Sequence, residues 1–150
     1  MGIKGGTAAL AVALIAVLLM AVPADAKLIR YAGQSSQGMK VVLKTNAKGR
    51  AKRLAIHFDA KCRKGKVSNG IQYFYAPFDK ASYRDFSSHI GFKQRFPKYG
   101  TSGKFRVRVF GRRVDRDRIS GTFDWRAKYF VKGKQYSACR IHTVHWSVHR

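Results

Sequence analysis

From about residue 39 onward, apolar and polar residues take turns along much of the chain. Met39, Val41 and Leu43 alternate with Lys40 and Lys44, interrupted only by Val42. Leu54, Ile56 and Phe58 alternate with Arg53, Ala55 and His57, and Ala47-Lys48-Gly49-Arg50 between the two runs reads as a hairpin turn. Phe105, Val107 and Val109 alternate with Lys104, Arg106 and Arg108. Ile119, Gly121, Phe123 and Trp125 share one parity, as do Val144, Trp146 and Val148. A period of two sends apolar groups to one face and charged groups to the other, the signature of an antiparallel sheet with one wet side.

Further strands are predicted over 28–33, 71–75, 90–96 and 127–131, with turns at Lys64-Gly65-Lys66 and Lys132-Gly133-Lys134. Residues 76–88 break the alternation. Pro77, Asp79, Ser82, Ser87 and Ser88 surround Phe78, Tyr83 and Phe86, which predicts a loop or one short helix lying over a sheet edge. Residues 97–103 form a second long turn. The expected fold is all-β: an antiparallel sandwich or barrel of about eight or nine short strands with at most one short helix. No repeat, heptad or low-complexity linker interrupts residues 27–150, which therefore read as one domain.

Composition strengthens the sheet reading. Beyond residue 26 there are 34 Val, Ile, Phe, Tyr and Trp residues but only four Leu and Met. β-Branched and aromatic side chains fit a pleated, half-buried surface, and the straight-chain helix formers are nearly missing.

The first 26 residues have a different character. Lys4 precedes an uncharged run from Thr7 to Val22, Pro23 follows, and Ala24-Asp25-Ala26 places small residues where an export peptidase cuts. This is the layout of a secretory signal removed after residue 26. The 16-residue apolar run is shorter than the ~20 residues a membrane-spanning helix needs. Export implies a secreted, periplasmic or envelope protein, and an oxidising compartment makes a disulfide between Cys62 and Cys139 the expected state of its two cysteines. A metal thiolate would need more ligands at short spacing, and Cys139 has only His142 within four residues.

Tyr31-x-Gly33-x-Ser35-Ser36-Gln37, Cys62 after a strand, Gly111, Ser120-Gly121-Thr122-Phe123, and Cys139-x4-Val144-x-Trp146-x3-Arg150 follow in that order. This series resembles a group of small secreted bacterial β-rich domains to which no activity is attached. The resemblance implies fold and export, and it implies no mechanism. His142 and Val148 stand where that group is expected to carry a Gly and a small residue.

Charge narrows the functional classes. Beyond residue 26 the chain holds 30 Lys and Arg against six Asp and no Glu. So few carboxylates leave little material for calcium sites or paired-acid hydrolysis. Gly100-Thr101-Ser102-Gly103-Lys104 lacks both the earlier glycine and the hydroxyl that a phosphate loop requires, and reads as a turn into the next strand. His142, His145 and His149 would share a metal on a helix, but in a strand the last two lie about 13 Å apart. Asp115-Arg116-Asp117-Arg118 reads as a charged β-turn, and no Gly-x-Ser-x-Gly elbow occurs. No cofactor motif is present, and no catalytic or metal-binding set can be assembled from spacing.

What remains is the cationic surface. Basic residues cluster at 48–53, at 61–66 and at 106–118, the densest set being Arg106, Arg108, Arg112, Arg113, Arg116 and Arg118. These arginines are the candidate anion-binding residues, because a guanidinium grips phosphate or carboxylate with two parallel bonds. The expected function is non-enzymatic binding of an anionic envelope or extracellular polymer. One alternative is an extracellular nucleic-acid binder, with Phe92-Lys93-Gln94-Arg95-Phe96 interleaving rings and charges. A second is a small hydrolase whose site spacing does not reveal. Evenly dispersed charge would instead mark a surface that is merely soluble, so the spatial grouping of the cations decides between these readings.

Overall fold

A computed structural model describes residues 27–150; the export signal read over residues 1–26 lies outside the described residues. Ten strands form one antiparallel sheet: β1 Ile29–Ser35, β2 Lys40–Thr45, β3 Ala51–Cys62, β4 Val67–Tyr75, β5 Lys80–Ala81, β6 Asp85–Phe96, β7 Thr101–Arg113, β8 Arg118–Val131, β9 Lys134–Arg140 and β10 Val144–His149. The all-β expectation holds. Four strands are 12 to 14 residues long: β8 joins two runs that read as separate, β3 continues through Cys62, and β6 and β7 take in residues 85–88 and 101–103, expected as loop and turn, because the β6–β7 ladder pairs them. Residues 118–125 and 127–131 are one strand, since Ala127 and Tyr129 continue the inward parity of Phe123 and Trp125.

The sheet coils until it meets itself. β7 runs along one edge of β8, while β10 and β9 share the other edge, pairing residues 118–123 and 126–131 respectively. β10 continues to β1, β2 and β3, and the end of β3 returns to β9 through Lys61–Arg140 and Cys62–Cys139. That closing ladder is only two residue pairs long. It is held by the Cys62–Cys139 disulfide, whose Cα atoms are 3.9 Å apart. Outside the closed part, β4 extends the sheet beyond β3, and β6 with β5 extends it beyond β7.

Inward residues make one continuous core, with Val41, Leu43, Leu54, Ile56, Phe74, Val107, Phe123 and Val148 fully buried. Each such side chain contributes about 1.5–3 kcal/mol relative to exposure. Phe58 joins the two halves, its ring 5.4 Å from Phe123 and 5.0 Å from Trp125. Two glycines let neighbouring strands approach β10. A Cβ on Gly33 would lie 2.0 Å from the Ser147 carbonyl oxygen, and one on Gly121 would meet the Phe110 carbonyl at 1.9 Å and the Trp146 ring at 2.6 Å. Neither position has room for a side chain.

Residues 76–88 contain no helix. A cis Ala76–Pro77 peptide leads to Phe78, which is buried against Phe86 with ring centroids 5.2 Å apart. Ser82 settles the local geometry: its hydroxyl accepts the backbone N–H groups of Arg84 at 3.1 Å and Asp85 at 2.9 Å. The Ser82 backbone N–H donates to the Asp85 carbonyl at 2.8 Å, closing a hairpin turn, so β5 pairs at once with the start of β6.

Candidate anion-binding site

Because every strand keeps its parity, outward side chains line up in rows across the sheet. Register places Arg106 of β7 opposite Arg126 of β8, Arg126 opposite Arg140 of β9, and Arg140 opposite Lys61 of β3. The next row toward the β6–β7 tip holds Lys93, Lys104 and Lys128 in direct succession. All seven are exposed. Neighbouring strands are about 4.8 Å apart, so the cations stand closer together than the Debye length of about 8 Å at physiological salt. The ion pairs found among the described residues are Lys80–Asp85, Arg112–Asp85 and Arg118–Asp115, and none involves these rows. Lys104 instead lies over the Phe130 ring at 5.1 Å.

The rows converge on a cleft beside the disulfide. It has a volume of about 490 Å³ and is lined by Lys61, Arg63, Arg126, Lys128, Arg140 and His142, with Cys62 and Cys139 in its wall and no carboxylate. Like charges directly opposite one another on a sheet are destabilising. Here they are held together by the covalent closure of β3 onto β9.

The six arginines singled out from the sequence are divided by the fold. Arg106 belongs to the first row. Arg108 stands one row further along the same face, between His89 and Asp124. Arg112 faces Asp85 at 3.9 Å. Arg113 turns back into the structure: its guanidinium donates to the Tyr31 hydroxyl at 3.2 Å, the Arg116 carbonyl at 3.1 Å and the Gly49 carbonyl at 3.3 Å, and it packs over the Tyr83 ring at 4.5 Å. Arg116 lies in the β7–β8 turn and Arg118 opens β8, where Asp115 takes it at 3.3 Å. A second cavity of about 630 Å³ forms around Arg112 and Arg113, but Asp85 and Asp115 share its lining and offset its charge.

Arg113 is accordingly a structural residue. Arg113→Ala is expected to lower stability by about 2 kcal/mol in urea unfolding, through lost hydrogen bonds and ring packing, while changing polyanion affinity by less than about twofold. A tenfold loss of affinity with unchanged stability would return Arg113 to the ligand site.

Of the five basic residues that line the cleft, Lys61 and Arg63 come from the 61–66 cluster, while Arg126, Lys128 and Arg140 belong to none of the clusters read along the chain. The signal that could have found them was present: Arg126 and Lys128 share the outward parity of the 118–131 strand, and Lys61, Arg63 and Arg140 flank the two cysteines. A disulfide between those cysteines brings their neighbours together.

The other chemical candidates can be placed as well. His145 and His149 point outward from β10 four residues apart, and His142 precedes that strand. Among the described residues no three His, Cys or Asp side chains gather as metal ligands do. Asp79, His89 and Asp124 do meet near Ser87, in a shallow concavity of about 310 Å³. Both carboxylates there already accept hydrogen bonds, Asp79 from the His89 backbone N–H and Asp124 from the Thr143 hydroxyl at 2.9 Å. On the opposite, inner face, Phe92 stacks on Phe105 at 4.7 Å and Tyr129 lies 6.3 Å from Tyr136. Burial, aided by Tyr136, holds the Tyr129 hydroxyl above the usual phenol pKa, so it stays neutral.

No helix among the described residues is long and apolar enough to cross a membrane. No known protein family matches the chain, and no curated protein or solved structure is found to be similar to it.

Proposed function

We propose that this protein is an exported, non-enzymatic binding domain whose cationic cleft and adjoining rows hold an extended anionic polymer of the envelope or extracellular space. The observation that carries this reading is the cleft itself: five Lys and Arg side chains and His142 converge from β3, β8, β9 and their flanking turns with no acid among them. A merely soluble surface would intersperse its few carboxylates with its cations, as happens around Asp85 and Asp115. Concentrated positive potential in a concavity focuses the field and draws anions from solution. The three-strand lysine row extends the same field along the sheet, which suits a chain of charges better than a single small ion. An oxidising compartment maintains the Cys62–Cys139 bond, so export and cleft geometry fit together.

Footprinting tests the reading directly. With linear polyphosphate as the probe, Lys61, Lys104 and Lys128 are expected to lose at least about fivefold in their rate of acetylation at low salt, and to regain it near 0.5 M salt as screening sets in. Lys48 and Lys52, on the β2–β3 turn side of the chain, serve as internal controls. Equal protection of all lysines would show diffuse attraction and sink the cleft as the site.

A further inference from the structure

Beyond the cationic rows, the same outer face changes chemistry. Phe110 of β7 points to solvent with 37 % of its surface exposed, between two shallow concavities of about 620 and 310 Å³. Register sets Thr122 opposite it on β8 and Ser87 opposite it on β6. His145 stands across from Thr122, and Arg112, Ser120, Ser147 and Gln34 form the next row, the Arg112 guanidinium lying over one face of the Phe110 ring at 5.6 Å. Among the described residues, the serine and threonine hydroxyls that hydrogen-bond within the chain are those of Ser35, Ser36, Ser82 and Thr143. The hydroxyls of Ser87, Thr122, Ser120 and Ser147 are not among them, so no bond within the chain has to break for them to meet a ligand.

We propose that Phe110 and its rim form a sugar-stacking subsite, and that the polymer held by the cleft is an acidic polysaccharide whose charged rings are separated by neutral ones. This rests on the polyanion reading of the cleft. A pyranose ring presents an apolar C–H face and an edge of hydroxyls that both donate and accept. A half-exposed aromatic ring rimmed by hydroxyls, an amide, imidazoles and the Arg108 and Arg112 guanidiniums complements both parts. On one side of Phe110 the concavity holds Asp79 and Asp124 beside Arg108 and His89, so a phosphodiester finds no surplus of positive charge on that side. Those carboxylates repel phosphate but accept hydrogen bonds from neutral sugar hydroxyls. Phe110 and Arg106 are four residues apart on β7, about 13 Å, so a few consecutive sugar rings reach from the stacking position to the first cationic row.

The test compares hyaluronan, in which charged and neutral sugars alternate, with poly-L-glutamate, which has carboxylates and no sugar rings. At equal charge concentration and salt, hyaluronan is expected to bind about tenfold more tightly, the scale of one ring-stacking contact. Phe110→Ala should erase that preference and leave poly-L-glutamate binding unchanged. Phe110→Leu, which keeps apolar bulk on the strand but lacks a flat face, should behave the same way. Thr122→Val should weaken hyaluronan alone by several-fold. Equal binding of the two polymers, untouched by Phe110→Ala, overturns the sugar subsite and leaves the cleft standing. Oligothymidylate binding more tightly than hyaluronan, and weakened by Phe110→Ala, overturns the polysaccharide in favour of nucleic acid. Failure of the protein to retain any polymer at low salt overturns the cleft and the subsite together.

Discussion

Replacing Cys62 and Cys139 together with alanine is expected to lower the melting temperature by about 15 °C. The two cysteines are 77 residues apart. Opening a loop of that size restores denatured-state entropy worth about 4.5 kcal/mol in the chain-entropy model, and a domain of this size loses roughly 3–4 °C per kcal/mol. The bond does more than shorten a loop here, since the ladder between β3 and β9 has only one other residue pair, Lys61–Arg140, and those two side chains repel. The variant should therefore gain more stability than the parent when salt is raised to about 1 M, because screening removes the repulsion that the bond had been opposing. Thermal unfolding of both proteins at low and high salt measures this. A drop below about 3 °C, with the same salt response in both, would show that packing alone closes the sheet.

Neutralising the cleft is expected to move affinity and stability in opposite directions. The triple variant Arg126→Gln, Lys128→Gln, Arg140→Gln should bind polyphosphate roughly 100-fold more weakly at about 50 mM salt. The slope of log affinity against log salt should become shallower by about 2–3, since each lost contact releases one counterion fewer. The same variant should unfold at a higher temperature, because Arg126 stands directly opposite both Arg106 and Arg140, and removing like-charge pairs relieves up to about 1 kcal/mol each. A matched control, Lys48→Gln, Arg50→Gln, Lys52→Gln, removes equal charge from the β2–β3 turn region. If both variants lose the same affinity, the protein acts through its overall field, and the cleft has no special role. A residue whose presence weakens the fold yet strengthens binding is the pattern expected of a functional group.

Most of the fold was legible in the residues themselves. Alternation of the type seen at Phe105–Val109 with Lys104–Arg108 assigns a strand, its inner face and its outer face in one step, since a residue's side of a strand follows from its parity. That is why the core, with Val41, Leu43, Leu54, Ile56, Phe123 and Trp146, lies where the pattern placed it. Residues 76–88 were harder to read, because their turn depends on one serine hydroxyl reaching backbone N–H groups, and on Phe78 finding Phe86 across it.

The charged site was legible only in part, for a reason tied to dimension. Sequence alone established that the domain is strongly basic, built of strands, and provided with two cysteines suited to a bond; these follow from composition and from a two-residue period. It ranked the arginines by how densely they occur along the chain. Tertiary structure ranked them differently. Register, set by how four strands pair, decided that Arg106, Arg126, Arg140 and Lys61 form one row although they span 80 positions in the chain. It likewise turned Arg113 inward onto Tyr31 and Tyr83. Density along a chain reports neighbours about 3.3 Å apart that point to opposite faces, whereas a ligand meets neighbours about 4.8 Å apart across strands that point the same way. The pairing of strands is a property of the whole folded chain, and it alone decides which charges a ligand meets together.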